Sequence, residues 1–197
     1  MKAYHFLKTS MQAGSGTEEP WTVGEERTVE GRIILCERGY HWGQDWYSAL
    51  QYAPGPIACI VDVDKAHADD SGKGVSKRRK LIQAVNVERE LRLFAADCAE
   101  RGLKKAKVKD ERSWNAIAVA RRFAIGEATA DELDAARAAA WDAARDAAWA
   151  AARDAAWAAA WDAAWAAARD AARAAETKWQ RKQLQRRINR ALREAQG

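Results

Sequence analysis

The stretch AAWDAARDAAWAAARDAAWAAAWDAAWAAARD occupies residues 139–170 and repeats with a period of eight residues. Large side chains stand at every fourth position, and alanine, the strongest helix former, fills most of the others. Thr129 and Glu132 match a capping box, and no Gly or Pro follows before Gly197. The pattern predicts one very long Ala/Trp-rich α-helix of roughly 65 residues, which at about 1.5 Å per residue would be on the order of 100 Å long.

The tryptophans of this repeat are predicted to pack against another surface. Each can bury about 150–250 Å², so together they would exceed the roughly 300–600 Å² apolar patch of a typical soluble monomer. We expect the helix to assemble copies of the chain into a homo-oligomer through Trp141, Trp149, Trp157, Trp161 and Trp165. A four-residue spacing gives a right-handed stripe, which disfavours a left-handed two-stranded coiled coil. Two alternatives stay open: covering by the chain's own N-terminal domain, and a solvated spacer produced by repeat expansion.

The formal net charge of +5 is concentrated at the C-terminal end, where residues 176–197 hold seven Lys and Arg side chains against two Glu. The residues that we predict to form a basic tail are Arg181, Lys182, Arg186, Arg187, Arg190 and Arg193. Such a tail suits a nucleic acid, an anionic membrane surface or an acidic protein, and it is equally typical of a solvated helix end. Two further basic runs, at residues 77–80 and 104–109, could also follow a phosphate backbone.

The N-terminal part is predicted to form a small mixed β-sheet domain with short helices, which makes the fold class α+β. Runs of β-branched and apolar residues favour strands at residues 2–7, 26–29, 31–36, 57–63 and 80–85. Residues 45–53 favour a short helix that Pro54 and Pro56 terminate. Residues 11–19 and 67–76 are rich in small and polar side chains and are predicted loops.

Two more helices are predicted before the repeat. Asn86 can cap one that reaches about Arg101, and Asp110 can cap another that Gly126 ends. The sequence therefore divides into a small β-rich α+β domain at 1–85, two helices packing on it at 86–128, and the octad-repeat helix with its basic end at 129–197.

Composition argues against several classes of protein. Cys36, Cys59 and Cys98 are an odd number without metal-ligand spacing, so we predict no metal, no cofactor and a reducing compartment. The chain opens without an apolar signal core, which favours the cytoplasm. Charged residues interrupt every long apolar run, so no membrane span is expected.

The densest group of polar and aromatic residues surrounds the sequence Cys-Glu-Arg-Gly-Tyr-His at 36–41. We predict a candidate ligand pocket formed by His5, Cys36, Gly39, Tyr40, His41 and Tyr52. The competing interpretation is structural, with the aromatic rings packing the edge of the small sheet. Metal binding is disfavoured because the histidines lie in separate segments, and we assign no catalytic residue.

Residues 35–63 hold Leu-Cys at 35–36, Gly-Tyr-His at 39–41 and Tyr-Ala-Pro-Gly at 52–55, followed by an Ile- and Val-rich strand. Residues 2–125 resemble a family of uncharacterised bacteriophage proteins, and this core is the specific part of the resemblance. Some members carry Ala/Trp/Arg/Asp repeats after the same domain. The resemblance implies a phage or prophage origin, and with it the cytoplasm of a host cell. It implies no activity.

A second resemblance is to ADP-ribosyltransferase-like folds. It is carried by the order of His5, Gly39, Tyr40 and Tyr52 before the strand at 57–63. It implies a domain that holds a nucleotide. The chain departs from those folds because neither of the candidate glutamates, Glu88 and Glu90, has the placement of their catalytic glutamate.

Three functional hypotheses follow. The first is a phage-encoded, non-enzymatic interaction protein, in which the N-terminal domain recognises a host or phage protein and the Ala/Trp helix drives self-assembly. An anti-defence role would suit such an accessory protein. The second is a nucleotide-binding, ADP-ribosyltransferase-like protein. The third is a sequence-independent nucleic-acid binder that acts through the basic tail.

Overall fold

The computed structural model describes residues 1–14, 18–64, 67–68, 72–154 and 162–197, and it gives no side-chain description for 67–68, 148–154 and 162–171. Contacts group the chain into two compact units. One combines Met1–Glu88 with Gln180–Gly197, and the other is Arg89–Trp179. The last residues of the chain thus belong with the N-terminal domain, whereas the division drawn from the sequence placed them with the repeat helix.

The first unit contains one β-sheet. Its strands are β1 (Lys2–Leu7), β2 (Glu26–Thr28), β3 (Tyr40–Gly43), β4 (Ile57–Val63), β5 (His67–Ala68), β6 (Lys73–Ser76) and β7 (Arg78–Asn86). They lie in the order β2-β7-β4-β1-β3-β6-β5. Every pairing among these described strands is antiparallel, so the prediction of a mixed sheet is wrong, although the α+β class is correct. Parallel neighbours need a crossover of about a dozen or more residues, usually through a helix, and only four residues connect the paired strands β5 and β6.

The core of this sheet lies on its central strands β7, β4 and β1. Their buried apolar side chains are Ala3, Leu7, Ile57, Cys59, Val61, Val63 and Leu81, joined by Trp21 and Trp42. The strand β4 is buried along most of its length because β1 and β7 pair with its two edges. Burial raises the pKa of the Cys59 thiol to about 12, so this cysteine is an inert part of the core.

Five helices complete the described chain. They are α1 (Trp46–Leu50), α2 (Glu88–Lys105), α3 (Glu111–Ala124), α4 (Ala130–Asp154) and α5 (Asp162–Glu194). The prediction of one very long Ala/Trp-rich helix is wrong, because the described part of residues 129–197 gives two helices, of 25 and 33 residues. Residues 155–161 lie outside the described residues. Alanine favours a helix along the whole repeat, but intrinsic propensity alone does not set the length of a helix.

The helix starts were predicted correctly where a cap specifies them. The Thr129 hydroxyl accepts from the Glu132 amide at 3.1 Å, and the Glu132 carboxylate accepts from the Thr129 amide at 2.7 Å. This is the predicted capping box, and it begins α4. The Asp110 side chain likewise caps α3 by accepting from the Arg112 amide. Gly126 follows α3 with a φ of +80°, as a residue just after a helix commonly does.

The second unit pairs α3 with α4. Val119 of α3 and Leu133 and Ala136 of α4 form its buried apolar cluster. Arg112 adds an ion pair to Asp146 at 3.0 Å across the two helices. This packing fixes α4 through its first turns, where the sequence still carries leucine.

The C-terminal end of α5 completes the first unit. Leu184 and Ile188 are 0% exposed and Leu192 is 4% exposed. The Gln83 side-chain amide of β7 donates to the Leu192 carbonyl oxygen at 2.8 Å. The Trp46 indole N–H donates to the Asn189 side-chain oxygen at 3.1 Å. These contacts make residues 180–197 an integral part of the N-terminal domain.

Two of the predicted segments of the N-terminal domain also differ. Residues 31–36 were predicted as a strand, but they form a turn with one isolated bridge between Ile34 and Arg38. Positive φ angles at Gly31 and Cys36, +83° and +71°, are incompatible with an extended strand. Residues 67–76 were predicted as a loop and instead contain β5 and β6. Among the described residues, none of the helices is long and apolar enough to cross a membrane.

Candidate functional site

The six residues predicted from the sequence as a candidate ligand pocket line one cavity of about 750 Å³ in the first unit. They are His5, Cys36, Gly39, Tyr40, His41 and Tyr52. Small-molecule sites usually measure about 300–1,000 Å³. Adjacent strands bring them together, because β3 pairs with β1 on one side and with β6 on the other. Their role in binding a ligand stays a prediction, but their proximity is a property of the fold.

A buried arginine from β7 forms the charged part of the cavity wall. The Arg79 side chain is 3% exposed, and its guanidinium carbon lies 4.4 Å from the centroid of the Trp21 ring and 4.8 Å from that of the Tyr40 ring. Burial lowers the pKa of Arg79 to about 10, so it remains protonated at neutral pH. The cavity therefore carries a permanent positive charge between two aromatic rings.

The partners of Arg79 within the described protein are distant. Its Nη1 donates to the His41 carbonyl oxygen at 3.4 Å, and its Nη2 lies 4.0 Å from the Glu18 carboxylate. Glu18 is itself shared, since it accepts from the Trp21 indole at 3.1 Å and pairs with Arg27 at 3.6 Å. A guanidinium has five N–H donors, so these contacts leave donor capacity at the cavity.

His5 lines the same cavity, and one of its imidazole nitrogens has no hydrogen-bond partner in the described structure. Its Nε2 atom is buried and makes no hydrogen bond in the described structure. Burial, and then the charge of Arg79, hold the pKa of His5 well below 6.5. The ring is thus neutral at pH 7. A buried polar atom left unpaired costs about 1–3 kcal/mol, which a ligand able to hydrogen-bond to it would recover.

His41 organises the loop at the cavity entrance. Its Nε2 accepts from the Cys36 amide at 2.7 Å, which requires a neutral ring with its proton on Nδ1. Burial lowers the pKa of His41, and Lys73 and Arg79 add to this effect. The hydrogen bond thus ties His41 to the backbone of Cys36, which has a φ of +71° and an exposed thiol.

Lys73 of β6 supplies a second cation. Its Nζ lies 3.1 Å from the Cys36 sulfur and 4.0 Å from the centroid of the Tyr52 ring. Tyr52 is largely exposed. These three side chains line the cavity together with the rings of Tyr4 and Trp42. Aromatic walls with two cations suit a flat, negatively charged molecule.

The glycine of the Gly-Tyr-His sequence is required by its conformation and by its neighbours. Gly39 has a φ of +124°, and a Cβ there would lie 2.6 Å from Cγ2 of Val75. Only glycine accommodates both conditions. Tyr40 and His41 are thereby set at the start of β3, with Tyr40 against Trp21 at 5.6 Å between ring centroids.

Sequence reasoning missed Arg79 and Lys73. The basic run at residues 77–80 was predicted as a segment that could follow a phosphate backbone, but its side chains do not share one surface, because alternate residues of a strand face opposite sides. Arg78 pairs with Asp62 and Glu26 on one face, while Arg79 enters the cavity from the other. A predicted strand that began at residue 78 instead of 80 would have placed Arg78 and Arg79 on opposite faces of the sheet.

The other predicted site residues are distributed as follows. Trp141 lies on α4 with its side chain 74% exposed. The side chains of Trp149 and Trp165 and the whole of Trp157 and Trp161 lie outside the described residues. Of the basic tail, Arg181 pairs with Asp45 and lies 4.9 Å from the centroid of the Tyr47 ring, so it helps to hold α5 on the domain. In the described part of the chain, no three His, Cys, Asp or Glu side chains cluster as metal ligands would.

His5 makes the stability of the protein depend on pH. Because its folded-state pKa is depressed below 6.5, the unfolded chain binds a proton first as the pH falls. The contribution of neutral His5 to the free energy of unfolding is complete above about pH 6.5 and is lost as the pH falls toward the folded-state pKa. We expect the free energy of unfolding to drop by up to about 1.4 kcal/mol per pH unit through that window.

Urea denaturation at several pH values between about 5 and 7.5 checks this expectation, in a range above the titration of ordinary carboxylates. His5→Gln should reduce the slope to the part that His41 contributes, since glutamine does not titrate and the pKa of His41 is also lowered. A variant that keeps the slope of the parent protein would contradict the assignment to His5.

In comparisons with known proteins, no protein-family model, no curated protein and no solved structure matches the chain.

Proposed function

We propose that this protein is a non-enzymatic recognition protein whose N-terminal domain binds a nucleotide-class ligand, a flat ring that carries an anionic group. The ligand would occupy the cavity between β1, β3, β6 and β7. A phage origin, implied by the resemblance of the sequence, would make it a recognition protein acting in an infected host cell. The proposal joins the interaction hypothesis to the nucleotide-binding hypothesis without their enzymatic part.

The observation that carries the proposal is the environment of Arg79. An ion that is 3% exposed, with its nearest described carboxylate 4.0 Å away, loses several kcal/mol of hydration without full compensation. A phosphate group in the cavity would supply the paired, charge-assisted hydrogen bonds that guanidinium groups favour. Lys73 would add a second positive charge to the same anion.

The rings and the unpaired imidazole support the second half of the proposal. Tyr40, Trp42 and Tyr52 line the cavity, and an aromatic ring stacks on such side chains with about 0.5–1.5 kcal/mol beyond the area it buries. The neutral His5 offers an atom that could accept or donate one hydrogen bond to a base edge. Ring, base edge and phosphate would then each meet a different part of the wall.

Binding rather than catalysis is favoured because polar side chains of the cavity wall are already engaged in structural hydrogen bonds. His41 uses its Nε2 on the Cys36 amide. Among the described residues, the carboxylates that line the cavity are Glu18 and Glu37. Glu18 is committed to Trp21 and Arg27, which makes it a poor general base.

Self-assembly through the repeat remains part of the proposal. The 74% exposure of Trp141 on α4 supports it, because a large aromatic side chain in water gains free energy from any partner surface. The four other tryptophans of the repeat would extend that surface.

A panel of fragments tests the ligand class. Isothermal titration of the full chain with adenosine monophosphate is expected to give saturable binding. Adenosine lacks the phosphate and ribose 5-phosphate lacks the base, so each should bind at least about tenfold more weakly, a loss of about 1.4 kcal/mol in binding free energy. Guanosine, cytidine and uridine monophosphates show how far the base matters. Absence of saturable binding by all four monophosphates would refute the proposal, as would equal affinity for adenosine and its monophosphate.

A further inference from the structure

The way in which α5 is seated on the first unit determines which of its side chains reach solvent. Leu184, Ile188 and Leu192, four residues apart, form its buried face. Asn189 accepts from the Trp46 indole, and Arg181 is committed to Asp45. The opposite face of the helix must therefore point away from the domain.

That outward face carries a row of cations. Lys182, Arg186, Arg190 and Arg193 are all exposed, at spacings of four, four and three residues. Each step of four residues advances about 6 Å along a helix. Arg190 lies 3.9 Å from the Glu194 carboxylate. We call these four residues the basic row.

Placement at a helix end does not explain the row. A cation in the last turn of a helix interacts favourably with the helix dipole, and the effect fades within that turn. Arg193 fits this explanation, but Lys182 lies about three turns earlier. The contacts that seat α5 on the sheet come from the other side of the helix, so they do not account for the row.

We propose that the basic row binds the phosphate backbone of a nucleic acid without reading its sequence. Three of its four members are arginines, whose planar guanidinium matches phosphate oxygens with two parallel hydrogen bonds. A helix that lies on a membrane surface inserts an apolar face beside its cations. Here the domain already covers that face, with Leu184 and Ile188 fully buried. The surface is separate from the cavity that holds Arg79.

Salt dependence gives a quantitative test. Four phosphate contacts on duplex DNA predict a slope of about −3.6 for the logarithm of the binding constant against the logarithm of salt concentration. Affinity for a fluorescein-labelled duplex, measured by anisotropy on the full chain, should therefore fall about 150-fold between about 50 and about 200 mM salt. Two unrelated duplex sequences should bind equally well.

Two variants of equal net charge separate the row from charge in general. The first replaces Lys182, Arg186, Arg190 and Arg193 by glutamine. The second replaces four other exposed cations by glutamine, namely Lys2, Arg32, Lys77 and Lys109. The row variant should lose nearly all duplex binding while its thermal unfolding stays cooperative, and the control should keep its affinity and slope within about twofold.

Equal losses in both variants would overturn the proposal, because diffuse charge would then account for binding. Row-dependent binding to phosphatidylserine vesicles, with none to duplex DNA, RNA or single strands, would overturn it in favour of a membrane surface. Adenosine monophosphate binding should be unaffected in the row variant, so failure here is distinguishable from failure of the pocket.

Discussion

Ile188→Ala is expected to lower the free energy of unfolding of the N-terminal unit by about 2–5 kcal/mol, the usual cost of truncating a large aliphatic side chain in a core. Ile188 is 0% exposed and lies between Leu184 and Leu192 on the buried face of α5. Domains are stable by only about 5–15 kcal/mol in total. The double variant Leu184→Ala/Ile188→Ala should therefore be largely unfolded.

Urea denaturation followed by circular dichroism measures the loss. Ile34→Ala is the matched control, because this isoleucine of the same unit is 40% exposed and should cost less than about 1 kcal/mol. A chain that ends at Ala128 should show no cooperative transition, since it lacks residues 180–197. If that shortened chain unfolds with the same midpoint as the full protein, α5 is not part of the domain.

The second large effect concerns Arg79. Arg79→Met is expected to weaken nucleoside monophosphate binding at least about 100-fold, or roughly 2.7 kcal/mol, because loss of one member of a buried charge pair typically costs about 2–5 kcal/mol. Stability should change by less than about 1 kcal/mol, since an apolar side chain of similar volume often replaces a buried ion at no cost. Glu18 would keep Trp21 and Arg27 as partners.

A change in binding without a change in stability identifies Arg79 as a ligand residue. Arg78→Met is the control, since Arg78 faces the other side of β7 and pairs with Asp62 at 2.7 Å. It should leave the affinity unchanged. The assignment fails if Arg79→Met unfolds the domain yet retains binding in the folded fraction, because Arg79 would then be a purely structural residue.

Parts of this fold could be predicted because local chemistry determines them. The strand at 57–63 has the same bounds in the structure as in the sequence analysis, since Ile57, Ile60, Val61 and Val63 are β-branched residues, which suit a strand. The capping box at Thr129 began a helix as expected. Such features depend on neighbours within a few residues.

The prediction of the repeat helix was wrong because the packing of its C-terminal end depends on residues far away in the sequence. The octad attracts attention through its tryptophans, yet the residues that decide the packing of α5 are Leu184, Ile188 and Leu192, which recur every four residues in the basic segment. Their spacing was visible in the sequence. Without the sheet, however, nothing indicated that the surface of the N-terminal domain would cover them.

The candidate site was half predictable. Gly39, Tyr40 and His41 stand together in the sequence, and β3 carries them to β1, where His5 lies. Arg79 comes from a distant segment that reads as a surface run of basic residues. A buried arginine contradicts the usual expectation for its residue type, and such conflicts between residue type and environment are common at functional sites.

The central claim is that the cavity binds a nucleotide-class ligand, and the imidazole nitrogen signals of His5 and His41 report on it most directly. We would follow them by nuclear magnetic resonance while adenosine monophosphate is titrated into the full chain. The account predicts that the His5 Nε2 signal shifts and saturates with the dissociation constant found by calorimetry, and that Arg79→Met abolishes the shift. If neither histidine signal responds saturably to any of the four monophosphates, the cavity is not a nucleotide site.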